Sequence, residues 1–372
     1  MVEIAVTPGA YTYVCTRLQL RKTHLFPAEF YKRLLQMSLP EMVRAIGEDE
    51  RYRQEIYDRY RTPTDLMRVE YALTANLARE YRRVLGMTPG ALHLLTSLYL
   101  HRWDIVNVMA ILRGKKHDLA RERIAETLIP AGELDLDQLD GLLDAPDLDR
   151  VVEGLHGWSL YPQVRTCTCQ EMPRGEFARI EDGLYRQYYR DLLGAAGRGV
   201  RGGDLFVRYL RFEIDILNMR NLFRLRAGSQ GPDIAGSMVP GGNVPVEEFV
   251  RIAGLEDRGT FIEEFAQTNL LPVATRAMQE LRHDTGIGPD QVAEMFWTRW
   301  EERQTTVHVV EVAVTKVRLE EMDRLAARHR FSVFPVLSYL ERKRMEIGNL
   351  RACVRGRQFE IPNARIFRYL VL

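Results

Sequence analysis

A carboxylate, an asparagine and an arginine recur three times in this chain at one spacing. The sequence reads DIVNVMAILRG from Asp104, DILNMRNLFRL from Asp215 and EIGNLRACVRG from Glu346. Each copy has its carboxylate, then Ile, then Asn at the third position after the carboxylate and Arg at the ninth. The sets are Asp104, Ile105, Asn107 and Arg113; Asp215, Ile216, Asn218 and Arg224; and Glu346, Ile347, Asn349 and Arg355. At about 100° per residue, carboxylate and Asn lie on one side of a helix and the Arg nearly opposite. The chemistry on offer is hydrogen bonding, because a carboxylate accepts and a carboxamide does both. Left unsatisfied in a core, either would cost roughly 1–3 kcal/mol. The pairs Asp104/Asn107, Asp215/Asn218 and Glu346/Asn349 are therefore expected to tie each helix to its neighbour, as structural rather than reactive groups.

Reactive constellations are scarce. Gly231 to Ser237 has the glycine spacing of a phosphate loop but lacks its lysine, and no strand precedes it. The eight histidines form no His-Glu-x-x-His and no pair at ligand spacing. No Ser or Cys stands in a nucleophile's context, and Cys167 and Cys169 form an isolated C-x-C without further ligands nearby. Catalytic, cofactor and metal residues are expected to be none. Arginines between Arg51 and Arg83 alternate with Tyr52, Tyr57, Tyr60, Tyr71 and Tyr81, a composition that could meet nucleic acid. Five acidic residues fall among them, so an ion-paired helix surface is the expectation.

The elements that position the motifs read as helices almost throughout. A helix from about Pro63 to Gly86 precedes one from Thr88-Pro89 to Gly114 that carries the first motif. Another runs from about Pro173 to Leu193, then a Gly-rich break, then a motif helix reaching Gly228. A long pattern from about Pro289 to Arg328, β-branched at Val307 to Val317, leads to the third motif helix, ending at Gly356. Capping boxes are expected at Ser38/Glu41 and Thr260/Glu263; Val2 to Val6 could be extended. Glu70 precedes Asn107, and Glu181 precedes Asn218, by the same 37 residues. With the asparagines 111 and then 131 residues apart, this recurrence implies one helical unit used three times. The expected division is residues 1–130, 131–236 and 237–372.

A length of 372 residues with 46% apolar and 28% charged residues describes a folded protein with an ample core. Net charge is +1, but Ala131 to Leu160 carries a local −7 and Leu340 to Leu372 a local +5, a polarity that could orient the chain in an assembly. Four cysteines and no leader-like start argue against a disulfide framework. The longest uncharged run, Val84 to Leu100, falls short of the roughly 20 residues of a membrane span.

The N-terminal YTYVCTRLQLRKTHLFPAEFYKRLLQMSLPEMVRAIG, the WDIVNVMAILRGKK segment and the C-terminal YLERKRMEIGNLRACVRGRQFEIP together resemble the C subunits of A/V-type ATP synthases, relatives of the d subunits of vacuolar ATPases. The resemblance implies an all-α, funnel-shaped protein of three similar domains about a pseudo-threefold axis. It implies a non-catalytic central-stalk subunit, peripheral on the cytoplasmic face of the cell membrane. Its partners would be the D and F subunits of the shaft and the membrane ring of ion-carrying subunits, with no nucleic acid and no small-molecule substrate. From the outward face of the repeat, Arg113, Arg224 and Arg355, with Arg220 and Arg351, are candidate partner-facing residues. A helical-repeat scaffold of another assembly, or a nucleic-acid-binding helical protein, are the alternatives.

Overall fold

A computed structural model describes residues 8–58, 64–165, 176–198, 200, 202–227, 234–282, 290–294, 297 and 306–372. Among these the chain is helical and no strand occurs. It folds as two compact units. One comprises residues 1–184 with 326–370 and 372; the other comprises 185–325 with 371.

The first unit opens with α1 (Pro8–Thr23), α2 (Ala28–Leu34), α3 (Leu39–Glu48), α4 (Glu50–Asp58) and the long α5 (Asp65–Met87). Then come α6 (Gly90–Leu100) and α7 (Arg102–Lys116), followed by α8 (Arg121–Ala125), α9 (Leu136–Asp144), α10 (Leu148–Gly154), α11 (Tyr161–Val164) and the start of α12 (Glu176–Ala196). The second unit continues with α13 (Gly203–Ala227), α14 (Ile234–Ser237), α15 (Val246–Ala253), α16 (Arg258–Phe265), α17 (Leu271–Arg282) and α18 (Thr306–Arg328). The chain then returns to the first unit as α19 (Phe334–Gln358) and α20 (Asn363–Arg368).

Local chemistry sets these ends. The Ser38 N–H donates to Glu41 at 2.7 Å, the expected capping box, with Pro40 in the first turn. Asp135 and Gln138 make a second box at the start of α9. The box expected at Thr260/Glu263 does not form. Asp257 caps α16 instead, and its carboxylate accepts from the Thr260 N–H at 2.8 Å and hydroxyl at 3.0 Å. An aspartate three residues upstream starts the helix earlier and turns Thr260 into a donor.

Two further expectations need correction. The first motif helix is not continuous from Thr88. It is divided at His101, where Asp104 N–H bonds the His101 carbonyl at 3.0 Å and the Arg102 side chain takes the Tyr99 carbonyl at 3.0 Å. Nor do Gly114 and Gly356 end their helices. The left-handed residues are Asp118 (φ 51°) and Glu360 (φ 54°). The Leu119 and Ile361 N–H groups bond back to the Gly114 and Gly356 carbonyls at 2.9 and 2.8 Å, closing a Schellman turn in both. The glycines serve packing, since a Cβ at either would collide with Ile124 or Ile366 of the next short helix.

In the first unit α19 is the central rod, packed by α1, α5, α2 and α3. Phe334, Leu337, Leu340, Ile347, Leu350 and Val354 are buried, and so are Glu341, Lys343 and Glu346 on the same helix. A helix buried nearly all round must pair its charges. The second unit has its own core, with Phe249, Phe261, Phe265, Trp297 and Met219 buried together and an Arg318–Glu213 ion pair at 2.8 Å, itself buried. The β-branched run from Val307 to Val317 lies within helix α18, as expected.

The other expectations fall as follows. Helices span the acidic stretch as α9 and α10. Val2 to Val6, Tyr60, Cys167, Cys169, Gly228 and Gly231 lie outside the described residues, and the end of the loop from Gly231 forms α14. No helix among the described residues is long and apolar enough to cross a membrane.

Candidate functional site

The three motifs are holding sites for backbone. On α7, Asp104 and Asn107 are fully buried. The Asn107 carboxamide donates to the Ile129 carbonyl and accepts from the Ile129 N–H, both at 2.8 Å. The Asp104 carboxylate accepts the Glu133 N–H at 2.7 Å and the Leu134 N–H at 3.1 Å. Gly132 is required here, because a Cβ would occupy the place of the Asp104 carboxyl group. Burial pushes the Asp104 carboxyl up to about 7 while its donors, the Glu133 and Leu134 N–H groups and the Trp158 side chain, pull the other way.

On α13 the same construction recurs in the second unit. Asn218 exchanges both hydrogen bonds with Val239 at 2.8 Å. Asp215 accepts the Asn243 N–H at 3.2 Å, the Asn243 side chain at 2.8 Å and the Val244 N–H at 3.0 Å. Gly242 stands against Asp215 as Gly132 stands against Asp104. Burial raises the Asp215 carboxyl as well.

On α19 the construction changes. Glu346 accepts the Phe26 N–H at 2.6 Å, from the other end of the chain. It also accepts the Tyr52 hydroxyl and the Lys343 ammonium (2.8 Å), with the Arg51 guanidinium at 3.4 Å. Lys343 donates in turn to the Tyr52 hydroxyl at 2.7 Å. Arg51 lies over Phe26 at 4.4 Å and Lys343 over Tyr52 at 4.2 Å, cations on aromatic faces. Burial lowers the Lys343 ammonium, against the pull of Glu346, and raises the Tyr52 hydroxyl well above its usual range. The Asn349 side chain hydrogen-bonds the Tyr31 hydroxyl.

The candidate partner-facing arginines divide. Arg351 and Arg355 converge on Glu70 of α5 at 3.1 and 2.5 Å. Arg113 pairs with Glu181 at the start of α12, both partly exposed. Arg220 is partly buried, and the side chain of Arg224 lies outside the described residues. Glu70 and Glu181, equally spaced before two asparagines, thus receive the arginines of two other copies of the motif.

Several functional residues carry no mark in the motif itself. Lys115, two residues beyond the motif arginine, donates to the Leu143 and Ala145 carbonyls at 2.6 Å, capping α9. Arg357, at the same offset from Arg355, donates to the Leu35 carbonyl at the end of α2. Around α19, Glu341 accepts from Tyr99 at 2.9 Å and pairs with Arg344 at 2.9 Å. Glu80 accepts from Tyr339 at 2.7 Å and from Arg21. The signal that points to the loop partners is Gly-x-Leu at Gly132 and Gly-x-Val at Gly242, at nearly equal distance after the motif. In the Arg/Tyr stretch, Arg51 pairs with Asp49, Arg68 with Asp65, Arg79 with Glu55 and Arg83 with Glu80, while Tyr52 and Tyr81 are buried. This is the pairing expected of an ion-paired helix surface.

Residues 14–369 match the family described as ATP synthase (C/AC39) subunit. The chain is 31% identical over 366 residues to the C subunit of the A-type ATP synthase of Archaeoglobus fulgidus, covering 98% of this chain and 97% of that one. It is 31% identical over 367 residues to the protein of the same name from Methanosarcina mazei (97% and 93%). To that of Halobacterium salinarum it is 28% identical over 368 residues (98% of each).

Proposed function

The chain belongs to the ATP synthase (C/AC39) subunit family, and on that premise we propose that it is a non-catalytic central-stalk subunit of an A-type ATP synthase. In this reading it is a socket on the cytoplasmic face of the membrane. It receives the lower end of the shaft, made of the D and F subunits, and rests on the ring of ion-carrying subunits. The single observation that carries the reading is the match over residues 14–369, which runs almost from end to end of the chain.

The repeated construction supports it. A part that passes torque must hold its shape under twist, and that favours long packed helices whose loops are pinned. Asp104 with Asn107 and Asp215 with Asn218 pin the stretch after each motif helix by its backbone. Three similar domains, divided near residues 130 and 236 about a pseudo-threefold axis, belong to the same proposal, as does the funnel shape. So does the assignment of Arg113, Arg220, Arg224, Arg351 and Arg355 to surfaces near shaft or ring. The grip on each partner must bury roughly 1,200–2,000 Å² or more to resist slipping.

The test is reconstitution of the purified chain with the D and F shaft subunits, followed by gel filtration. Co-elution of the three in one complex supports the socket. Failure to associate while D and F pair with each other overturns it. Charge reversal at Arg113, Arg220 and Arg224 then asks whether those residues take part. Unchanged binding removes them from the interface.

A further inference from the structure

We propose that residues 24–58 are the capping module of the third motif helix, carried at the opposite end of the chain, and that Glu346 is the clasp that holds them there. This rests on the threefold use of one helical unit but not on the identity of any partner.

The register is the same in all three copies. The motif carboxylate accepts the N–H of the residue two positions before a short helix. These are Leu134 before Leu136, Val244 before Val246 and Phe26 before Ala28. Further short helices follow: α10 and α11, α16 and α17, and α3 and α4. A long helix lies further along, α12, α18 (with residues 290–294 also helical before it) or α5, and then a motif helix, with α6 set before the motif helix in the last case. The far end of the short helix is held in the same way, by Lys115 on the end of α9 and by Arg357 on the end of α2. Modules one and two follow their motif helix directly in the chain, whereas the third is separated from its carboxylate by 320 residues.

The chemistry of the third joint differs in a way that suits this separation. His24 stands where the other copies have Gly132 and Gly242, and the carboxylate is the longer Glu, which reaches the N–H without needing a bare backbone. Besides a backbone donor, the clasp recruits the Tyr52 hydroxyl and two cations, Lys343 and Arg51, and bonds between oppositely charged groups are among the strong ones. Two of these, Tyr52 and Arg51, come from the module itself, so Glu346 reads both its entry and its last helix. Neutralising Glu346 would strand the buried Lys343, so the clasp holds or fails as a unit. The structure thus contains one joint that can open without breaking continuity of a motif helix with its own following loop.

Hydrogen–deuterium exchange with mass spectrometry on the full chain tests this, comparing wild type, Glu346→Gln and Asp104→Asn. The expected result is that Glu346→Gln speeds exchange across residues 28–58 by about tenfold or more while residues 136–164 stay within about twofold of wild type. Asp104→Asn should do the reverse. Exchange at 28–58 within about twofold of wild type in Glu346→Gln, or an equal rise in both segments, overturns the clasp. Asp104→Asn leaving 136–164 unchanged overturns the equivalence of the modules. Should Glu346→Gln fail to fold, Arg357→Met loosens the same joint at the end of α2 and must give the same selective rise.

Discussion

Glu346 accepts the backbone N–H of Phe26 at 2.6 Å across 320 residues of chain, the bond that Asp104 takes from Leu134 across 30. The two carboxylates share a place in a repeated motif and receive the same kind of donor, yet one joins neighbours in sequence and the other joins the chain's two ends. Stability should therefore depend on the motif residues in ways that separate local from long-range holding.

Asn107→Ala removes both hydrogen bonds to Ile129 and leaves a buried N–H and C=O unpaired. The expected loss is about 2–4 kcal/mol of unfolding free energy, read as a fall in the urea midpoint. Asn218→Ala should behave alike in the second unit, because its two bonds to Val239 have the same geometry.

Gly132→Ala places a methyl where the Asp104 carboxyl group stands. Overpacking of this kind costs about 1–3 kcal/mol. Gly141→Ala, at a glycine with open space around its Cβ position, is the control, and thermal denaturation should show little loss there.

Asp104 gives a pH signature. Its carboxyl is pushed up to about 7 in the folded chain, against an ordinary 3.8. The folded state therefore holds a proton between those values that the unfolded state has released, so this group weakens the fold as pH rises from about 4 to about 7. The contribution is of the order of 4 kcal/mol at most. Asp104→Asn should abolish that slope. Parallel denaturation series of both proteins, subtracted at each pH, measure it.

Arg113 and Glu181 form a partly exposed pair, so Arg113→Ala should cost no more than about 1 kcal/mol. Glu70 is buried and shared by Arg351 and Arg355. Glu70→Gln takes the carboxylate from Arg351, whose side chain is 25% exposed, while Arg355, 57% exposed, turns to water, so the change should cost about 1–3 kcal/mol. Equal losses at the two sites, compared by equilibrium unfolding, would contradict the different burial of these pairs.

The motif helices, and the placing of a carboxylate and an Asn on one face of each, are legible in the sequence because their spacing is helical. Their partners are not. Ile129, Glu133, Leu134, Val239 and Val244 are held by backbone groups, and a backbone N–H leaves no mark in residue type. Only Gly132 and Gly242 betray the close approach. Helical spacing sets the arginines opposite the carboxylates, but nothing in the sequence says that α5 packs on α19, so the meeting of Arg351 and Arg355 with Glu70 is out of its reach. Gly114 and Gly356 mislead about helix ends for a related reason. Glycine there makes room for Ile124 and Ile366, while Asp118 and Glu360 take the left-handed turn. Thr260 precedes a Glu by three, the mark of a cap, yet Asp257 outcompetes it from one turn upstream.

Membership of the rotor is the central claim, and affinity purification of this chain from gently solubilised native membranes tests it most directly. The expected result is recovery of the D and F shaft subunits together with the membrane ring, at one copy of this chain per complex by quantitative mass spectrometry. Recovery of the chain alone, or with the stationary parts of an ATP synthase but without shaft and ring, would contradict it.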